Sequence, residues 1–286
     1  MRTRTIIASA ICFACLSGPS LAAQDLALFD PAEGAGGYTG VIEPLDGPAT
    51  LAWRPRTGII GTVETLSILP GDERETVIIT FTGGITDERN GVNRRFAVSE
   101  LTANGQHINA TQPLVVVDGW SDSQGGNVSN LEISFPGFIE RDIPPPPPGS
   151  LQHQLWIDIF AAELAYTEGP IRVGDSIFEE ASYRRLLESQ VRGIMGDPDS
   201  EIIENTFFAR TVGVTRDSGH NALVAELSGR IEARSGANRI FMEARGFGLI
   251  DLQSGLSSGT SQTIVTAIRG GREVKRTVIV DVRYLN

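Results

Sequence analysis

The sequence predicts an α+β protein that is mainly β, in which a curved antiparallel meander sheet carries one or two covering helices. Three observations lead to this class. Short β-branched runs, each bounded by Gly, Pro, Asn or Asp, fill most of the chain. The runs between residues 201 and 286 alternate apolar and polar side chains and are separated by tight turns that contain glycine. Two other stretches, 150–169 and 182–198, place apolar side chains at helical spacing.

Residues 1–22 have the composition of a secretory signal peptide. Two arginines precede an apolar core over residues 6–16, and small residues fit cleavage after Ala22 or Ala23. The core is shorter than the roughly 20 residues that span a membrane. We therefore expect an exported protein, periplasmic or secreted, with a flexible N-terminal lead over residues 23–37.

Cysteine usage and charge narrow the classes of function. Cys12 and Cys15 both leave with the signal peptide, so the mature chain has no disulfide, thiol nucleophile or thiolate metal site. Lipidation at Cys15 stays an alternative. The chain has 35 acidic and 24 basic residues and a net charge of −11, which makes it a poor ligand for nucleic acid. Its preference for Arg over Lys is typical of a bacterial genome rich in G and C.

Residues 38–141 are predicted to form a β-rich half. The runs with strand character are YTGVIEP, ATLAWRP, GTVETLSIL, ETVIITFTGG, NRRFAVSEL, PLVVVDGW and NVSNLEISFPG. The pairs Asn90–Gly91 and Asn104–Gly105 favour type I′ hairpin turns between strands.

Five consecutive prolines stand within residues 142–150. A polyproline II segment of that length spans about 15 Å. We interpret it as a stiff strap across one end of a sheet rather than as a recognition peptide. We expect 38–141 and 151–286 to belong to one domain, because the helix after the prolines needs a surface to cover.

Residues 151–286 combine covering helices with a β-meander half. The first helix has an apolar side that includes Leu155, Trp156, Ile159 and Phe160. The second has one apolar stripe made of Tyr183, Leu186, Leu187, Val191, Ile194 and Met195. A strand is the alternative for this second stretch. Five strand-like runs follow as an antiparallel meander, in which Gly246 and Gly248 predict a bulge or sharp coiling.

Residues suited to metal binding or acid–base chemistry are sparse. The three histidines, His107, His153 and His220, stand singly and lack metal-ligand spacing. We therefore expect surface histidines, no metal site and no cofactor.

One acidic turn, DGWSDSQGGN, offers oxygen atoms for calcium at Asp118, Asp122 and Asn127. Asp, Asn and Gly are also the residues that turns use, so the turn itself explains them. A hydrolase based on carboxylates would pair Asp118 with Asp122 or Asp175.

Four phrases follow each other along the chain: FAVSELTANGQ (96–106), VVVDGWSDSQGGNVSNLEIS (115–134), PIRVGDSIF (170–178) and GFGLIDLQSGL (246–256). In this order they resemble an uncharacterised family of β-rich bacterial secreted proteins and lipoproteins with a half-barrel-like fold. Ile177 and Phe178 stand where that family usually has a Trp. The resemblance implies a fold and no chemistry. The combination of meander and helices is also similar to curved-sheet carriers of the lipoprotein-carrier type, in which a half-open sheet holds acyl chains against a helical lid.

We therefore expect an exported protein without enzymatic activity that binds an apolar or lipid-like molecule between sheet and helix. The predicted lining includes Leu155, Trp156, Ile159 and Phe160. The first alternative is a structural or protein-interaction module of the cell envelope, which would show an exposed apolar patch and no cavity. The second is the carboxylate hydrolase.

Overall fold

The computed structural model describes residues 37–108, 111–125, 129–140, 166–216 and 221–284, within which it has twelve strands and two helices. The strands are β1 Arg56–Ile68, β2 Arg74–Glu88, β3 Gly91–Ala103, β4 Gln106–Ile108, β5 Val115–Ser121, β6 Ser129–Ser134, β7 Glu201–Asn205, β8 Phe208–Thr215, β9 Ala222–Ser235, β10 Asn238–Asp251, β11 Ser257–Arg269 and β12 Arg272–Tyr284. The helices are α1 Pro136–Glu140 and α2 Glu180–Met195.

All twelve strands belong to one antiparallel sheet with the order β6-β5-β3-β2-β1-β12-β11-β10-β9-β7. Two strands lie off this path. The short strand β4 pairs with β3, which also pairs with β5, and β8 pairs with β9, which also pairs with β7. The sheet is curved and does not close. The predicted class, mainly β with an open curved sheet and covering helix, is confirmed.

The last five strands, β8 to β12, form the predicted antiparallel meander. Strand β10 pairs with β9 and with β11 without a register shift, so a bulge at Gly246 and Gly248 is wrong, and the alternative, sharp coiling there, stays a prediction. A close approach of strands explains Gly246 instead. A Cβ there would lie 2.3 Å from the carbonyl oxygen of Thr260, so only glycine leaves room for β11.

Strand β1 precedes the proline run in the chain and pairs with β12. Gly61 lies opposite Tyr284, and Ile68 lies opposite Thr277. Strands from both sides of the prolines therefore share one sheet. The predicted strap, 142–150, lies outside the described residues and stays a prediction.

The prediction of strands is wrong for two runs, YTGVIEP and ATLAWRP. They form only isolated bridges, one between Glu43 and Val214 and one between Ala49 and Ile171. The prolines that end both runs lack the amide hydrogen that a continuing ladder needs.

The two Asn-Gly pairs behave differently. Asn104 and Gly105 have φ angles of 49° and 76°, the positive values that a type I′ turn requires, so that prediction is confirmed. At the other pair the prediction is wrong, because Gly91 already pairs with Glu88 as the first residue of β3. Only Asn90 has a positive φ there. The neighbouring strand β5 lies so close that a Cβ at Gly91 would be 2.3 Å from a backbone oxygen.

Helix α2 confirms the second predicted helix. The Glu179 carboxylate accepts hydrogen bonds from the backbone N–H groups of Ala181 and Ser182 at 3.1 and 2.6 Å, which caps the N-terminus. Gly196 ends the helix in the left-handed conformation. The predicted stripe is the buried side of the helix, and its most buried members are Tyr183, Leu186, Leu187 and Val191.

Candidate functional site

One face of the sheet, which we call the inner face, carries the main hydrophobic core and packs against α2 and residues 166–178. The alternation is clear along β10, where Met242 and Ala244 are buried on this face and Glu243 and Arg245 are exposed on the other. Helix α2 contacts β7 and β9, near one end of the sheet.

The opposite, outer face has a smaller apolar cluster of its own on β8 to β10. The N-terminal part of the described chain crosses it. The Tyr38 ring packs edge-on against Phe247 with a centroid distance of 5.1 Å, and its hydroxyl donates to the Thr215 hydroxyl at 2.7 Å. Residues 38–43 therefore act as a cover for this end of the outer face.

The four residues that the sequence selected for a ligand site, Leu155, Trp156, Ile159 and Phe160, lie outside the described residues. Their role in a site stays a prediction. The sequence assigned the sheet side of that site to one face of the meander without saying which, and that assignment also stays a prediction.

The middle of the inner face is lined by small and hydroxyl-bearing side chains. We call the set Thr65, Ser67, Ser261 and Thr263 the polar strip; all four are at most 4% exposed. Val280 lies between Thr65 and Ser261 in the register, and Val278 lies between Ser67 and Thr263. Beside the strip on β10 the inner face has only Ala244, Gly246 and Gly248. With strands about 4.8 Å apart, the strip is about 10 Å wide across the sheet.

Hydrogen bonding in the polar strip is incomplete within the described structure. The Ser67 hydroxyl accepts a hydrogen bond from Nη2 of Arg276 at 2.6 Å. The Ser261 Oγ and Thr263 Oγ1 atoms are buried without a hydrogen-bond partner. A buried polar group without a partner costs about 1–3 kcal/mol, so these hydroxyls are places where a polar atom of a bound molecule would be stabilising.

An aromatic stack crosses the inner face from β3 to α2. Arg94 lies over the Trp53 ring at 4.8 Å, and Trp53 stacks on Tyr166 at 5.9 Å. Tyr166 stacks on Phe178 at 5.9 Å, and Phe178 stacks on Tyr183 of α2 at 5.6 Å. The stack ties helix and sheet together, because each ring is held by the next one along it.

The two tyrosines of this stack are packing residues rather than acids or bases. Burial raises the pKa of Tyr166 and of Tyr183 well above the ordinary tyrosine value, so both stay neutral at physiological pH. The Tyr166 hydroxyl donates to the carbonyl oxygen of Gly255.

The predicted carboxylates each make a local contact. Asp118 forms an ion pair with Arg95 at 3.2 Å. Asp122 and Asp175 accept hydrogen bonds from backbone N–H groups in their own turns, at 3.0 and 2.8 Å. Asn127, the third predicted calcium ligand, lies outside the described residues. Across the part of the chain that the structure describes, no group of three or more His, Cys, Asp or Glu could hold a metal ion.

His107 is exposed, and its Nδ1 lies 3.0 Å from the Thr102 hydroxyl. His153 and His220 lie outside the described residues. Among the helices of the described ranges, none has the length and apolar character to cross a membrane.

Sequence reasoning missed the polar strip and Arg276. A signal was present in the alternation of β12, where Val274, Arg276 and Val278 share one side. The other side, Lys275, Thr277 and Ile279, is equally mixed, so the pattern does not say which side is inside.

Comparison with known proteins does not identify a family for this chain. No family model matches the chain, and the search of the curated proteins found no match. Among solved structures, the crystal structure of the LolA superfamily protein NE2245 from Nitrosomonas europaea aligns with 8% sequence identity and a TM-score of 0.18. The alignment covers 80% of this chain and 86% of that chain. At this TM-score the similarity supports no inference about function.

Proposed function

We propose that the protein is exported and binds an apolar or lipid-like molecule on the inner face of its sheet. The observation that carries this proposal is the polar strip. A core is normally filled by large apolar side chains in close contact. Here the centre of the inner face has glycine, alanine, serine and threonine around two valines of β12, and the hydroxyls of Ser261 and Thr263 have no partners.

The arrangement matches the usual composition of a small-molecule site, in which a mostly apolar surface has a few polar groups that fix orientation. Val278 and Val280 lie between the strip residues, and Met242 on β10 is a further apolar side chain of the inner face. Binding would bury an apolar tail against them and offer the strip hydroxyls to polar atoms. The predicted helix residues Leu155, Trp156, Ile159 and Phe160 would supply the opposite wall.

No step of this proposal needs a reaction, and we propose a binding protein rather than an enzyme. The contacts of Asp118, Asp122 and Asp175 support this choice, because turns and an ion pair account for all three. The proposed location, the periplasm or the cell exterior, depends on the predicted signal peptide over residues 1–22.

A second candidate function has one observation in its favour. Strand β6 lies at the end of the sheet, and four of its six residues are exposed. An open strand edge can pair with a strand of another protein. Under this alternative the protein is an interaction module, and its binding is unaffected by changes on the inner face.

A matched pair of variants on β11 tests the proposed function. Thr263→Leu adds bulk to the inner face, whereas Thr266→Leu makes the same change on the outer face of the same strand. The probe is N-phenyl-1-naphthylamine, an uncharged apolar fluorophore. We expect wild type and Thr266→Leu to bind it with enhanced emission, and Thr263→Leu to fold and lose the binding.

The opposite result would identify a solid core. In that case wild type binds no probe, and Thr263→Leu lowers the free energy of unfolding by about 1–3 kcal/mol through overpacking.

A further inference from the structure

Arg276 is a cation of the inner face that lies beside the polar strip. It lies on β12 opposite Val265 of β11, and it reaches across to β1, where its Nη2 donates to the Ser67 hydroxyl at 2.6 Å. Burial of the guanidinium lowers the pKa of Arg276 from its ordinary value, while the negative charge of Glu75 raises it. The group nevertheless stays charged, since arginine does not lose its proton in proteins.

The hydrogen-bonding capacity of this guanidinium is largely unused. It has five N–H donors. Its Nε is buried without a partner, and within the described ranges no carboxylate forms an ion pair with it. Arg283, on the outer face of the same strand, does contact a carboxylate, that of Asp281. Glu75, opposite Ser67 on β2, acts on the guanidinium without forming an ion pair with it, so an anion in direct contact with the half-buried cation would be stabilising.

The surroundings of Arg276 change from solvent-exposed to buried along β12. Two residues before it, Val274 is on the inner face and 48% exposed, so the inner face meets solvent at the hairpin between β11 and β12. On the other side lie the buried Ser67 and Thr263 of the polar strip. Arg276 therefore stands between an open end and a buried interior, where the head group of an amphiphile would lie.

We propose that Arg276 binds the oxyanion head group, carboxylate or phosphate, of a single-chain amphiphile whose tail lies along the inner face. This inference rests on the proposed function. The guanidinium offers Nε and its remaining N–H groups to the oxyanion in a charge-assisted contact, and Ser67 holds the guanidinium in position. Because Glu75 lies opposite Ser67 on β2, beside the hydroxyl that Arg276 contacts, its charge repels the head group, and one negative charge is favoured over two.

Oleate and oleyl alcohol, which share a tail and differ in the head group, test the proposal in titrations of the full protein by isothermal calorimetry. We expect Arg276→Gln to weaken oleate binding by about 10- to 100-fold, the order of a lost charge-assisted hydrogen bond, and to leave oleyl alcohol binding unchanged. Lys275→Gln, which removes an exposed cation from the outer face of the same strand, is the matched control and should change neither. Arg276→Lys keeps the charge and should recover part of the oleate affinity.

The outcomes separate the two proposals. If oleate binds wild type and Arg276→Gln equally well, Arg276 is not the anchor, and the proposed function stands on the alcohol data. If neither ligand binds wild type, both proposals fail. If Arg276→Gln does not fold, wild type and Arg276→Lys decide. If oleate binds no more tightly than oleyl alcohol to either protein, Arg276 does not anchor the head group. Inorganic phosphate, tested without a tail, shows whether the oxyanion alone is bound; tight binding of phosphate with no effect of the tail would overturn the amphiphile.

Discussion

Replacing Gly229 by alanine tests the junction on β9 at which its pairing changes from β8 to β7. Gly229 has a φ of +147°, which L residues rarely adopt, and a Cβ there would lie 2.3 Å from the Cα of Phe207. Since that Cα is backbone, no change of rotamer can relieve the contact. The same junction is held by the Thr206 N–H, which donates to the carbonyl oxygen of Arg230 at 2.8 Å.

Two costs add at this position. A residue other than glycine in such a conformation costs about 1–3 kcal/mol. Forcing a methyl group into a closely packed place costs about 1–3 kcal/mol more. For a chain of this size, each kcal/mol lowers Tm by about 2–4 °C, so Gly229→Ala should lower Tm by roughly 10 °C.

Gly236→Ala is the matched control. Gly236 has a φ of +57° in the turn after β9, and a Cβ there would meet nothing within 4 Å. Only the conformational cost remains, about 1–2 kcal/mol. Thermal and urea unfolding followed by circular dichroism measure both variants. A loss of stability in Gly229→Ala no larger than in Gly236→Ala would refute the reasoning, because it would mean that the contact with Phe207 has no energetic effect.

Three further predictions concern single side chains. Tyr166→Phe should cost about 1–3 kcal/mol, because it leaves the buried carbonyl of Gly255 unpaired, and should flatten the loss of stability as pH rises above about 10, where the unfolded tyrosine ionises; an unchanged urea midpoint would contradict it. Glu179→Ala should cost about 1 kcal/mol at pH 7 and less as pH falls below about 4, because hydrogen bonds from Ser182 lower the pKa of this carboxyl and the capping is lost on protonation; equal costs at pH 7 and pH 3 in urea titrations would count against it. Glu75→Gln should tighten oleate binding by about two- to fivefold, since it removes the charge that competes for Arg276; weaker binding by calorimetry would speak against the anchor.

Local features were predictable where one stretch of sequence contains the whole cause. Helix α2 followed from the spacing of Tyr183, Leu186 and Leu187, because a helix forms its hydrogen bonds within itself. The Asn104–Gly105 turn followed from residues that tolerate positive φ. The Asn90–Gly91 turn failed because Gly91 already pairs with Glu88, and this register depends on how β2 and β3 pair along their length, which residues 90 and 91 do not encode.

Pairing between distant strands was not predictable from the chain. β1 and β12 both have the composition of a strand, but nothing in either marks the other as its partner, and their ladder joins Gly61 to Tyr284. For the same reason Gly246 suggested a bulge. The observed cause, the approach of Thr260 on β11, exists only once the two strands lie side by side.

The residues of the proposed site could not be predicted from the sequence. The meander and the amphipathic stretches indicated a surface between sheet and helix. The polar strip combines β1 with β11, and its contact between Ser67 and Arg276 joins the first and last strands of the sheet in chain order. Such a combination requires the register across β12, which no local pattern contains.

Native mass spectrometry of the protein, expressed from the full-length chain and purified without detergent, tests the central claim most directly. We expect wild type and Thr266→Leu to carry a reproducible extra mass of an apolar molecule, or to take up oleyl alcohol, and Thr263→Leu to carry none. A clean monomer or dimer mass in wild type, unchanged after incubation with oleyl alcohol, would contradict a ligand site on the inner face.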